Sequence, residues 1–316
     1  MSDEYLDYFN WTDLNLTIFE DEEFVELDFN AGPLVRIIAS ILFFLLILFG
    51  FFGNLAIIHI VTNKWKVQTP FNLFVANVAF ADAWFALNMT LDLITHMFLG
   101  RFIYGETVCK ILTFYEYSTP ILSILTLIVA LFALQFETTG LKTASLAIGA
   151  IYAIALPMGV ISAQHAEILE IENGEESTMS ICYRSLSTPY YEFTMSAIDS
   201  FFSVGLPTVS LLIYLILWIV SKLTSKRILR GFVHDKLLLI LAVVSLFAWT
   251  LRNNIHLLLE FSYRIMYVLI FGIHVIVGSS IVIKPILYAV LHEGFAIQMQ
   301  KIVGWESNAP ERTQFF

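Results

Sequence analysis

An all-α bundle of seven membrane-spanning helices, followed by a short amphipathic helix, is the fold this sequence predicts. Three observations carry the prediction. Of 316 residues, 58% are apolar and only 14% charged, against about 25% charged in soluble domains. Mean hydropathy is +0.77, so too few charges exist to wet a globule of this size, and the bilayer must be much of the solvent. The apolar residues are gathered into seven runs, each near the roughly 20 residues that cross a hydrocarbon core. The remaining charges are sorted between the breaks. This pattern excludes a soluble enzyme and a disordered chain, and the net charge of −10 opposes nucleic acid as a partner.

The runs fall at roughly 34–61, 71–98, 108–137, 143–164, 192–221, 236–260 and 264–291. Helices suit them because lipid offers backbone groups no water, and a helix pairs those groups within itself. Between them stand Gly32-Pro33, Thr69-Pro70, Gly100 to Gly105, Thr138-Thr139-Gly140, Asn173-Gly174 and Gly231, residues that punctuate helices. Residues 293–303 have the alternation of an interfacial amphipathic helix. The organisation expected is an acidic extracellular tail over 1–33, a seven-span domain over 34–291, and an amphipathic helix with a short cytoplasmic tail over 292–316.

Orientation follows from Lys and Arg, which favour the cytoplasmic side. With the N-terminus outside, the inner loops and tail sum to +5 and the outer segments to −12, leaving −3 in the membrane. The reverse orientation would put the acidic side inside. The expected location is the plasma membrane, multi-pass, N-terminus outside. The first 31 residues hold ten acids and no base, without the basic-then-apolar order of a signal peptide. They contain Tyr5 and Tyr8 as candidate sulfated ligand contacts, and Asn10-Trp11-Thr12 and Asn15-Leu16-Thr17 as glycan acceptors at Asn10 and Asn15. Cys109 and Cys182 allow one disulfide and no Cys-rich metal cluster. The H-E-x-x-H, G-x-x-x-x-G-K-[ST] and G-x-S-x-G patterns are absent, so no enzyme, cofactor or metal is expected.

Several residues at fitting intervals form a recognisable order: Gly53-Asn54, then Asn77-Val78-Ala79-Phe80-Ala81-Asp82, Cys109, Cys182, Pro207, Trp249, and Pro285-Ile286-Leu287-Tyr288 with Phe295 beyond. Together they resemble the rhodopsin-like (class A) G-protein-coupled receptors over about 34–303. Ile103 to Lys110 and Lys284 to Val290 resemble the peptide and chemokine receptors within that class. A second extracellular disulfide, usual among chemokine receptors, has no cysteines here.

The resemblance implies a Cys109–Cys182 disulfide. It also implies a mid-membrane sodium site at Asp82 and Ser123, with Lys284 where the family has Asn. A fixed ammonium there would replace the ion; the alternative is a Lys284 that snorkels to the interface. The family's Asp-Arg-Tyr signalling triplet lands on Ala133-Leu134-Gln135, while Pro285 and Tyr288 are kept. For ligand binding the candidates are Asp92, Glu116, Tyr117, Asp199, Trp249, Arg252, Glu260 and His274, with Arg252 expected to neutralise Glu116 or Asp199. Charge counting leaves this mouth acidic, and charged clefts attract ligands of opposite sign.

The function expected is a cell-surface receptor for an extracellular cationic peptide or chemokine-like protein, with membrane lipids around it. A heterotrimeric G protein is the inner partner, with constitutive or atypical signalling suggested by the altered triplet. Two alternatives stand beside it: a decoy or scavenger without G-protein coupling, and a transporter or channel using Asp82 and Lys284 as an ion relay.

Overall fold

Helix occupies the described part of every apolar segment in a computed structural model of the chain, which describes residues 33–64, 69–95, 99, 101–133, 140–173, 177–185, 189–223, 232–253, 263–291 and 293–302. Tyr5, Tyr8, Asn10, Asn15, Leu134, Gln135 and Glu260 lie outside these residues. By its contacts the chain divides into two units, 1–38 and 39–316. The described part of the first is the start of helix α1; the packing below belongs to the second.

Span 1 begins as α1 (Pro33–Leu45), widens into π-helical turns at Leu46–Gly53, and continues as α2 (Asn54–His59) and a second π segment, Ile60–Lys64. Spans 2, 3 and 4 are α3 (Pro70–Ile94), α4 (Gly105–Ala133) and α5 (Leu141–Gln164). Thr69 caps α3, its hydroxyl accepting from the Asn72 backbone N–H at 3.2 Å, and Pro70 occupies the first turn, where its missing N–H costs no helical bond. Span 5 is α6 (Pro189–Ser200), a π segment Phe201–Gly205, and α7 (Leu206–Leu223). Pro207 has no N–H to offer the Ser203 carbonyl four residues back, and the helix is wide at that point. Span 6 is α8 (Phe232–Asn253), span 7 is α9 (Tyr263–Leu291), and α10 (Glu293–Ile302) follows.

Among the described residues, six helices are long and apolar enough to cross a membrane; span 6 contributes a shorter apolar stretch, Leu237–Arg252. Their outward faces are greasy: Phe44, Leu146, Phe193, Phe247 and Val290 are all more than half exposed, as lipid-facing positions should be. One element adds to the helical plan. Strands β1 (Ala166–Asn173) and β2 (Ser177–Arg184) pair antiparallel, with Ile168 opposite Cys182.

Two close approaches set the helix geometry. A Cβ on Gly53 would lie 3.1 Å from Pro285 Cβ, so glycine lets span 1 rest against the proline of span 7. A Cβ on Gly159 would lie 2.8 Å from both the Phe114 ring and the Phe114 carbonyl oxygen, and a backbone atom cannot swing aside. Gly159→Ala is therefore expected to destabilise the fold by about 1–3 kcal/mol through overpacking of spans 3 and 4. Gly149→Ala, whose Cβ meets nothing within 4 Å, should cost nothing. Thermal unfolding of the detergent-purified protein checks both; equal midpoints would show that the span 3–4 contact gives way freely.

Candidate functional site

A cavity of about 360 Å³ lies between spans 2, 3, 5, 6 and 7 at the end of the bundle that carries the disulfide. Helical spacing makes its walls polar. Asn88, Asp92 and Thr95 recur at three- and four-residue steps on span 2, as do Thr113, Glu116, Tyr117 and Pro120 on span 3, and Ser196, Asp199, Ser200 and Ser203 on span 5. Residues so spaced share one helix face. Cys109 is bonded to Cys182 across a separation of 73 residues, which binds β2 to the top of span 3.

The charged side chains in the cavity are mostly committed to one another. Arg252 makes a salt bridge to Glu116, settling which acid it takes. Its guanidinium also lies 5.2 Å from the Phe85 ring centroid and 5.6 Å from that of Trp249, within the range of cation–π attraction. His274 Nε2 is 3.0 Å from Asp92 Oδ2, so the span 7 histidine serves as the partner of an acid on span 2. Asp199 differs: among the described residues no hydrogen bond or ion pair reaches its carboxylate, and Arg184 and Arg252 act on it only through space.

Arg184 is the residue that sequence reading missed. In the sequence it is one basic residue among the outer segments, yet it lines the cavity. Its guanidinium lies 4.0 Å from the Tyr117 ring centroid and donates to Ser162 Oγ at 3.2 Å. The signal was available: Arg184 is two residues from Cys182, and a Cys109–Cys182 bond places that stretch over span 3. With Arg184 present, the described cavity holds three carboxylates and two guanidiniums, an excess of one negative charge before His274 is counted. Trp249 is not among the lining residues. It is 2% exposed and packs edge-on against Phe85, which does line the cavity, with centroids 4.8 Å apart.

Deeper in the bundle, Lys284 and Asp82 are buried together, with side-chain exposures of 1% and 2%. Lys284 Nζ donates to Asp82 Oδ1 at 2.9 Å and to Ser123 Oγ at 3.0 Å, and Ser123 Oγ donates to the same Oδ1 at 2.9 Å. Asp82 Oδ2 is also 2.9 Å from Nζ but off the hydrogen-bond axis, so that contact is electrostatic. Lys284 does not snorkel. Three spans, 2, 3 and 7, meet at this pair.

At the opposite end Ala133 closes the described part of span 3, partly buried against a core of Leu131, Tyr214, Leu238 and Tyr288. Tyr288 is 2% exposed, and its ring centroid lies 6.2 Å from that of Phe295, which seats α10 on span 7. Asn77 joins spans 2 and 3 by donating to Thr126 Oγ1 at 2.7 Å.

Comparison with known proteins fits this arrangement. Residues 53–288 match the 7 transmembrane receptor (rhodopsin family). The mouse protein "Probable G-protein coupled receptor 19" is 30% identical over 95 residues, 30% of this chain and 23% of that protein. Mouse neuropeptide Y receptor type 4 is 34% identical over 79 residues, 25% of this chain and 21% of the receptor. The chain thus covers under a quarter of the length of these relatives. A longer match, to the rat pyroglutamylated RF-amide peptide receptor, is 24% identical over 307 residues, 83% of this chain and 69% of the receptor. With the match to the family spanning most of the chain, a disulfide over a polar cavity and apolar helices fit to cross the bilayer, the chain belongs to the rhodopsin family of seven-transmembrane receptors, multi-pass proteins of the plasma membrane rather than enzymes.

Proposed function

We propose that this receptor sits with its N-terminus and β-hairpin outside the cell, binds an extracellular peptide bearing a positive group, and relays binding to a heterotrimeric G protein. The observation that carries the ligand reading is Asp199. Every other described carboxylate in the cavity has a side-chain partner in contact, Arg252 on Glu116 and His274 on Asp92, so a ligand cation meets one carboxylate without such a contact, flanked on the same helix face by the hydroxyls of Ser196 and Ser200. Support comes also from the acidic N-terminal segment and from relatives that are, by name, receptors for neuropeptide Y and an RF-amide peptide. A chemokine-like protein is a larger ligand with the same charge and belongs to the same reading.

A panel of basic peptides and chemokines on cells expressing the receptor, read by labelled-ligand binding and G-protein activation, tests the proposal. With the ligand so found, Asp199→Asn is expected to weaken binding about 10- to 100-fold, the worth of a charge-assisted hydrogen bond. Asp92→Asn should do less, since His274 already holds Asp92. Equal losses, or a preference of the panel for acidic ligands, would contradict the role given to Asp199. Leu134, at the place of the family's arginine, favours a second outcome: binding and uptake without any G-protein response, which is decoy behaviour.

A further inference from the structure

We infer that Lys284 is a built-in cation standing in a mid-membrane cation site, and that this receptor's stability and ligand affinity are consequently indifferent to sodium. The resemblance to the rhodopsin-like receptors implies a sodium ion at this level, and the residues present do not fit one. A hard monovalent cation needs oxygen ligands, and the groups that would supply them are the Asp82 carboxylate and the Ser123 hydroxyl. Both are already taken by the Lys284 ammonium, at 2.9 Å from each carboxylate oxygen and 3.0 Å from Ser123 Oγ.

Charge decides the competition. One carboxylate balances one cation. Adding sodium beside a fixed ammonium would leave an excess positive charge in a region where Lys284 and Asp82 are 1% exposed each, and an uncompensated charge there is costly. The ammonium is also tethered. It loses no translational freedom on pairing, whereas a free ion must be drawn from solution. Displacement by sodium would break the ammonium's bonds to spans 2 and 3 and leave a second cation buried in the bundle, since the lysine's backbone belongs to span 7 and its chain is 1% exposed. The pair thus supplies permanently the electrostatic link among three spans that a diffusible ion would supply in proportion to its concentration.

The inference does not depend on which ligand the receptor binds, and its test needs none. Full-length receptor in detergent is unfolded thermally while sodium chloride replaces N-methyl-D-glucamine chloride at constant ionic strength. An ion that binds only the folded state raises the midpoint as its concentration rises. The wild type is expected to show no sodium-specific rise, and a rise overturns the inference. Lys284→Asn removes the ammonium and leaves the carboxylate and the hydroxyl; it is expected to become sodium-dependent, its midpoint climbing by several degrees across the titration. Asp82→Asn/Lys284→Asn, lacking the carboxylate, should be flat again. Where Lys284→Asn is too unstable to purify in the organic cation, recovery of folded protein on adding sodium is the same readout. Lys284→Asn and Lys284→Ala both failing to respond to sodium would show that the ammonium occupies no cation site. A receptor that answers no peptide in the signalling assay still returns a result here, so the two proposals fail separately.

Discussion

Asp82→Asn is expected to destabilise the receptor by about 3–5 kcal/mol, more than most single substitutions in the chain. The magnitude comes from what remains after the change. Lys284 stays 1% exposed, its ammonium keeps Ser123 Oγ at 3.0 Å, and the amide at position 82 supplies a dipole where a full charge stood. Removing one partner of a buried pair therefore costs far more than the pair contributes as a whole, because the intact pair already bears a desolvation penalty of several kcal/mol per ion. The same reasoning predicts that Asp82→Asn/Lys284→Met recovers most of the loss, since no buried charge is left. Thermal unfolding of the four proteins gives a double-mutant cycle, and a coupling energy of about 3 kcal/mol between positions 82 and 284 is expected, at the upper end for residues in contact. Two single variants as stable as the wild type would mean that water reaches the pair, and the burial argument would fall.

That pair shows which parts of the molecule a sequence can disclose. The seven spans were legible because each is a run of apolar residues and lipid leaves only helices for them. Lys284 was legible because an ionisable residue amid such a run must find a partner, and Asp82 is an acid buried at a matching depth. The β-hairpin was harder. Asn173-Gly174 is a strong hairpin signal, but in a chain dominated by helix it reads as a simple break, and no hydrophobic run marks the pairing of Ile168 with Cys182. Arg184 was missed for the same reason: a charge in a loop is assigned to solvent until the strand that carries it is seen to lie over span 3. The edge-on contact between Trp249 and Phe85, which lie on different spans, was not legible either, because helical period on one helix says nothing about a neighbour's ring. The wide turns at Leu46–Gly53 and Phe201–Gly205 have no local residue signature beyond Pro207.

Cys109→Ala/Cys182→Ala is expected to lower stability by about 2 kcal/mol and to release the hairpin from the cavity mouth. Chain entropy alone sets the upper bound: closing a loop of 73 residues is worth about 4 kcal/mol in water. The bilayer reduces this, because spans 3 and 4 lie inside the closed loop and remain constrained in the membrane when the bond is absent. What the bond adds locally is larger than its global share. A two-stranded hairpin alone is marginal, and this one is held by the disulfide, by Phe102 N–H donating to the Ser180 carbonyl at 2.7 Å and by Ser180 Oγ donating to the Phe102 carbonyl at 2.9 Å. Without the covalent link those two hydrogen bonds contribute about 1 kcal/mol each, too little to keep Arg184 over Tyr117. Amide hydrogen exchange should therefore rise sharply across 177–184 while the spans stay protected, and ligand affinity should fall with it. Glu106→Gln is the contrast: it breaks the exposed Glu106–Lys110 pair beside the same cysteine, and an exposed pair one helical turn apart is worth about 0.3–0.5 kcal/mol. If the double alanine variant matches Glu106→Gln in both midpoint and exchange, the hairpin is held by the packing of its Ala166 and Ile168 against Phe102, and the disulfide does not position Arg184.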